Sequence, residues 1–187
     1  MKLLRESLLV YPEQPDIVAR FHSLAASGAQ CLERTCWEGH LTGSALITGP
    51  KYDCVLLTLH SKLGMWLQLG GHADGDADLA RVALREAQEE SGLAAFTFAG
   101  SQTAFGAPPI FDLDIHAIPA RKSEPQHLHY DVRYLLIADP TEKLAITAES
   151  KDLRWLKLSD AYGLTQEPSM HRQFDKLARA GRELGYN

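Results

Sequence analysis

Two periodicities alternate along the 187-residue chain. Residues 13–27 place Ile17, Val18, Phe21 and Leu24 at helical spacing, and a second short helix is expected over 28–37. Apolar runs at 41–48 (LTGSALIT) and 54–60 (CVLLTLH), divided by the turn GPKYD, read as strands. KLGMWLQLGG, 62–71, reads as a strand entering a double-glycine loop. A helix is expected over 79–91, with Asp76 or Asp78 as its N-cap and Gly92 as its stop. Period two then returns. In FDLDIHAI, 111–118, Phe111, Leu113, Ile115 and Ala117 oppose Asp112, Asp114 and His116. In HLHYDVRYLL, 127–136, Leu128, Tyr130, Val132 and Tyr134 oppose His127, His129, Asp131 and Arg133. PARKSEPQ between them is a loop. LRWLKL, 153–158, is a late strand, and Ser159-Asp160 opens a helical C-terminus with Phe174, Leu177 and Ala178 on one face. Strands mixed with separated helices predict an α+β protein, a sheet sandwiched between helices. Residues 1–40 are expected to form an N-terminal helical extension packed on a main domain, 41–187.

The helix at 79–91 carries the candidate chemistry. At about 100° per residue, Leu79, Val82, Ala83 and Ala87 define its apolar side, and Arg81, Arg85 and Gln88 lie on the other. Glu86 and Glu90 project on the apolar side, and Glu89 lies at its edge. A solvated acidic face should lie opposite the apolar one. Like charges at i, i+4 cost a helix roughly a few tenths of a kcal/mol. Partly burying carboxylates costs several kcal/mol more, roughly, unless something compensates. A divalent cation compensates directly. Mg²⁺ prefers carboxylate oxygens, keeps some waters and completes its shell with substrate phosphates. The helix alone therefore suggests a metal–phosphate site. Arg85 can reach Glu89 at i, i+4, and Gly70 and Gly71 permit close backbone approach ahead of it.

Charge and composition agree with that reading. A chain 45% hydrophobic and 23% charged can build a soluble core. Its net charge of −5 provides no basic field, so nucleic acid is not the expected partner. A small anionic substrate would need a metal or a local group of cations. Cys31, Cys36 and Cys54 form no C-x-x-C pair, which argues against a disulfide framework and for a reducing compartment. MKLLRESLLVYPEQP is too short and too charged for a signal peptide. No stretch approaches the roughly 20 apolar residues of a membrane span. The expected location is cytoplasmic, away from membranes.

The segment Gly71 to Leu93 resembles the Nudix hydrolase signature, G-x5-E-x7-R-E-U-x-E-E-x-G-U, where U is bulky and apolar. Gly71 begins it, and Arg85-Glu86-Ala87-Gln88-Glu89-Glu90-Ser91-Gly92-Leu93 ends it at the family spacing. WLQLGG resembles the strand that enters such a loop, and the surrounding elements agree over about 41–160. Two positions depart. Ala77 stands where the first glutamate is expected, with Asp74, Asp76 and Asp78 nearby to substitute, and Ala87 is small for its apolar position. The resemblance implies a Nudix fold with a mixed sheet, its domain spanning 41–187. It also implies hydrolysis of the diphosphate in a small nucleoside-diphosphate derivative, NDP-X, to NMP and X-phosphate. Glu89 and Glu90 would be the main Mg²⁺ ligands, with Mn²⁺ as a substitute. Glu86 would be a third ligand or the general base. Arg85 would orient a glutamate, and Gly71 would offer its carbonyl. Glu149 is the candidate acid from outside the box, its alternative being an exposed loop acid.

The row His127, His129, Asp131, Arg133 shares one strand face, and pairing with 111–118 would bring His116 near. Three readings compete. It is a satisfied, solvated or helix-covered face, a substrate-recognition row in which Arg133 or a histidine meets phosphate or base, or a separate His-x-His metal site. Arg121 and Lys122 are either phosphate contacts or surface charge. Trp37, Trp66 and Trp155 are expected in the core. His40 and His72 have no nameable partners, with His72 the better guess for nearness to a metal. Two other functions compete with hydrolysis. An isoprenoid-diphosphate isomerase would want a catalytic cysteine and a more degenerate box. A non-catalytic ligand sensor need not keep costly carboxylates. No loop carries a readable recognition pattern for X, and the N-terminal helices suit specificity or a homodimer interface equally.

Overall fold

The computed structural model describes residues 1–121, 124–148 and 150–186, apart from the side chain of Leu3. The element order is α1 (Lys2–Leu9), α2 (Pro15–Ala26), a 3-10 turn (Ala29–Leu32), β1 (His40–Thr48), β2 (Cys54–His60), β3 (Trp66–Leu67), β4 (Leu69–His72), α3 (Leu79–Ser91), β5 (Thr97–Phe98), β6 (Asp112–Ile118), β7 (His127–Ile137), β8 (Ser150–Lys157), α4 (Leu158–Leu164) and α5 (Pro168–Glu183). The strand order is β3-β2-β1-β7-β5, with β4 pairing β1, β6 pairing β7 and β8 pairing β2. The α+β expectation holds. Three local readings change. Helix α1 was not anticipated, although Leu4 and Leu8 stand at i, i+4 and are both buried. The helix expected over 28–37 is only the 3-10 turn, held between Gly28 at φ 100° and an extended Glu33. The strand expected over 62–71 is two short strands separated by Gln68.

The chain divides into two compact units. The first comprises residues 1–44, 70–83 and 100–134. Within it, Arg5 Nη2 donates to the Ala25 carbonyl at 2.6 Å and ties α1 to α2. Phe21 of α2 meets the Tyr130 ring edge-on at 5.3 Å. The start of α3 is fixed by aspartates. Asp78 Oδ1 accepts from the Arg81 amide at 3.1 Å, an N-cap bond to the third helical residue. Asp76 accepts from the Asp78 amide at 2.9 Å and takes two bonds from the Arg81 guanidinium. Gly43 of β1 lies beneath this turn, where a Cβ would sit 2.7 Å from the Leu79 carbonyl oxygen.

Strands β6 and β7 of this unit pair in continuous antiparallel register, from Asp112↔Arg133 to Ile118↔His127. Asp112 and Asp114 therefore join the even-parity face of β6, beside Asp131 and Arg133 of β7. This polar face is buried. Arg133 donates from Nε to Asp131 at 2.7 Å, from Nη1 to Asp112 at 3.2 Å and from Nη2 to Asp114 at 3.2 Å. Asp131 also accepts from the hydroxyls of Thr42 at 2.8 Å and Ser44 at 2.6 Å. Burial alone would raise the Asp131 carboxyl, but the Arg133 charge and the Ser44 hydroxyl prevail and hold it below the usual range. The three aspartates likewise overcome burial and raise the Arg133 guanidinium.

The second unit comprises residues 45–69, 84–99 and 135–187. Its β2 pairs antiparallel with β8 from Cys54↔Lys157, with a register shift between Leu59 and His60, and with β3 through Thr58↔Leu67. Phe174, Met170 and Leu177 of α5 are buried. Gly181 lies 3.2 Å, at its virtual Cβ, from Tyr52. Helix α3 ends at Gly92, whose φ of 73° suits a left-handed C-terminal stop. A Cβ there would lie 2.5 Å from Ala145.

Two stability tests follow from these contacts. Gly43→Ala forces a methyl against the α3 backbone, and overpacking of this kind costs about 1–3 kcal/mol. The melting temperature should fall by about 2–4 °C per kcal/mol for a chain of this length. A variant as stable as the parent by thermal unfolding would show that α3 shifts freely. Arg133→Met strips the buried aspartates of their counter-charge, and urea unfolding should register a loss of about 3–5 kcal/mol.

Candidate active site

The carboxylates of α3 lie in the second unit. Glu86, Glu89 and Glu90 stand at i, i+3 and i+4, so they share one side of two adjacent turns. Their exposure is graded. Glu90 is buried at 9% exposure, the Glu86 side chain retains 16%, and Glu89 is exposed. Ala87 is fully buried beside them. This grading follows from the helical wheel, in which Glu86 and Glu90 fall toward the apolar stripe. Arg85 Nη2 donates to Glu86 Oε1 at 2.6 Å. The glutamate held at this distance is the neighbouring one, not the i+4 partner Glu89 that spacing suggested. A guanidinium of this kind fixes one carboxylate's orientation while leaving the helix its excess of negative charge.

The aspartates of the box loop bond locally. Asp74 forms a two-bond pair with Arg34, at 2.6 and 2.5 Å. Asp76 pairs with Arg81, and Asp78 caps α3. Ala77 lies half-buried among them. The aspartates therefore organise the loop locally where the family glutamate is missing. Gly71 lies half-buried in β4, in the first unit. Glu149 and Lys122 fall outside the described residues.

The expected recognition row is in the first unit, and β6 and β7 bring most of it together. His116 is directly opposite His129, their ring centroids 5.5 Å apart, and His116 Nδ1 lies 3.1 Å from Asp114 Oδ2. His127 is buried, with Nδ1 2.8 Å from the Pro125 carbonyl. Arg121 is exposed and bridges Glu124 through two backbone bonds. Arg133 does not fit the phosphate contact expected of it. It is 2% exposed and each guanidinium nitrogen is bonded to an aspartate. Trp37, expected in the core, is 41% exposed and meets His127 edge-on at 5.7 Å. At Asp131 and Arg133 the row is a satisfied, buried face, as the first of the three readings allows.

Sequence reasoning missed one grouping. His40 of β1 and His72 of β4 join His129, with ligand nitrogens all within 4.8 Å of one another. Burial, reinforced by the neighbouring charges, lowers all three histidines, His72 to about 4 and His129 to about 2. They are neutral imidazoles at physiological pH. The His-x-His of β7 was the visible half of this signal, and the partners came from strands distant in sequence.

Among the described residues, no helix is long and apolar enough to cross a membrane. The sequence model of the NUDIX domain matches residues 40–178. No curated protein sequence matches the chain. Among solved structures, a NUDIX-family hydrolase from Clostridium perfringens is 28% identical with a TM-score of 0.56, covering 75% of this chain and 97% of that one. An Ap4A hydrolase from C. elegans superposes with the same TM-score of 0.56 at 17% identity, covering 74% and 95%. The dihydroneopterin triphosphate pyrophosphohydrolase of E. coli gives 0.54 at 14% identity, covering 73% and 92%. With the carboxylate helix in place and a family match that spans most of its length, the chain belongs to the Nudix family of hydrolases.

Proposed function

We propose that this protein hydrolyses the diphosphate linkage of a small nucleoside-diphosphate derivative, NDP-X, using a divalent metal held chiefly by Glu89 and Glu90, with Glu86 beside them. The observation that carries this reading is the graded burial of those carboxylates on one helix, in a chain of this family. Three carboxylates are hard oxygen donors, and they fit Mg²⁺ or Mn²⁺ better than a softer ion. When bound, such an ion neutralises the diphosphate's charge and makes a bound water more acidic. The residues of the chain supply the rest. Buried Glu90 is a fixed ligand, and exposed Glu89 can meet an ion that arrives with its substrate. Glu86, clamped by Arg85, is the proposed general base. It would accept one proton from the attacking water, whose oxygen bonds to one phosphorus while the bridging oxygen leaves with the other phosphate.

The substrate class supported is a nucleoside diphosphate derivative. The Ap4A and dihydroneopterin triphosphate named for the structural relatives guide the choice of panel. Purified protein would be incubated with Mg²⁺ or Mn²⁺ and Ap4A, ADP-ribose, NADH, coenzyme A, nucleotide sugars and nucleoside triphosphates, and the products separated. Metal-dependent release of NMP is expected from at least one NDP-X member. Glu86→Gln should lower kcat by roughly 10²–10⁴-fold with KM within a few-fold. The Glu89→Gln/Glu90→Gln pair should abolish metal-dependent turnover. Turnover unaltered in the pair would overturn the assignment of the metal to α3.

A further inference from the structure

The first unit holds a cluster that the carboxylate helix does not use. His40 opens β1, His72 closes β4, and β4 pairs β1. His129 comes from β7. The rings form a triangle. Centroids are 5.2 Å apart for His40–His72, 4.7 Å for His40–His129 and 5.0 Å for His72–His129. One donor nitrogen from each lies within 4.8 Å of the others.

The hydrogen bonding leaves this interior unsatisfied. His40 Nδ1 lies 3.3 Å from the Cys36 carbonyl. A carbonyl only accepts, so Nδ1 carries the proton and Nε2 carries the lone pair. Nε2 of His40 is buried, in a residue 1% exposed, and has no hydrogen-bond partner among the described residues. Nε2 of His129 is in the same condition. Native proteins leave few such atoms without an ion, a water or a functional reason. The surrounding contacts hold the rings in place. His127 stacks on His40 at 4.9 Å and 28°, and is itself anchored to the Pro125 carbonyl. His116 packs against His129 and is turned by Asp114. The Cys36 carbonyl on the other nitrogen of His40 is the outer-shell support that metal-binding histidines commonly have.

We propose that His40, His72 and His129 bind a late first-row transition-metal dication of the Zn²⁺ class, at a site chemically separate from the carboxylates of α3. Three imidazoles suit Zn²⁺, Co²⁺, Ni²⁺ or Cu²⁺ and do not suit Mg²⁺. A bound ion takes imidazole nitrogen at about 2.0–2.1 Å, so it would draw the three rings inward from their present spacing. Three protein ligands leave at least one coordination position for a solvent or substrate oxygen. The proposal does not depend on the hydrolase reading.

The test uses the full chain, stripped with chelator and titrated with Co²⁺ in millimolar Mg²⁺, which occupies oxygen-donor sites. Visible ligand-field bands should grow to one Co²⁺ per chain and be displaced by one Zn²⁺. Glu89→Gln/Glu90→Gln should give the same spectrum and the same stoichiometry. His72→Asn and His129→Asn, each checked for folding by circular dichroism, should weaken binding by roughly 100-fold or more, beyond the loss typical of an outer-shell change. No Co²⁺ or Zn²⁺ binding by the unmodified chain would overturn the site, whatever the variants do. So would bands that persist in both folded histidine variants, or bands lost in the glutamate pair, which would place the cobalt on α3. A hydrolysis assay on the same preparations reads the α3 carboxylates separately.

Discussion

The first unit depends on one guanidinium. Arg133 is buried among acids, and three carboxylates bond to its three nitrogens. A buried carboxylate alone would take up a proton or open the fold to water. A shared guanidinium permits strand β7 to bury both its faces, the apolar one behind Tyr130 and Val132 and the polar one behind Asp131 and Arg133. Thr42 and Ser44 extend this network to β1, while Gly43 between them turns to the opposite face and admits α3. The period of two explains both facts. Consecutive residues of β1 answer to different neighbours, so hydroxyl and bare backbone must alternate.

The same polar face continues toward the histidines, and the physics changes along it. Beside Arg133 the charges cancel. At His129 burial and the neighbouring histidines outweigh the Asp131 charge and lower the imidazole's pKa. A neutral imidazole can be buried with its lone pair intact, whereas a carboxylate needs a cation. Helix α3 shows the third solution. Glu90 is buried on a helix that also carries Glu86 and Glu89, and Arg85 engages Glu86. Carboxylates gathered on one helix are the donor set that the proposed dication would meet.

Much of this was legible in the sequence. The α3 limits, the Asp78 cap and the Gly92 stop are local chemistry, set within one turn of the residues concerned, and the structure returns each of them. The wheel also ordered the glutamates by burial, because a helix fixes side-chain direction. The sequence offered the pairing of β6 with β7 only as a condition for His116 to come near, and the structure meets it. Other features were not local. Nothing near His40 announces His72 or His129, since strand pairing across the sheet brings them together. The burial of Arg133 was hidden for a related reason. An arginine flanked by alternating apolar residues reads as a solvent-facing position, and only the aspartates arriving from β6 reverse it. Helix α1 escaped because Leu4 and Leu8 make a weak periodic signal over so short a segment.

Donor chemistry explains how one chain could keep two metals apart. A carboxylate set cannot select Mg²⁺ by affinity, because Zn²⁺ and its neighbours bind nitrogen and oxygen ligands more tightly. Selection has to come from abundance and geometry. Mg²⁺ is plentiful, demands oxygen and retains water, so graded carboxylates with an exposed Glu89 suit it. Three clustered imidazoles offer Mg²⁺ nothing and offer a scarce transition metal a set of nitrogens it prefers. On this account the histidine cluster would also protect the carboxylates. A soft ion reaching the chain would find nitrogen before it displaced Mg²⁺, and the helix would keep the ion its oxygen donors suit.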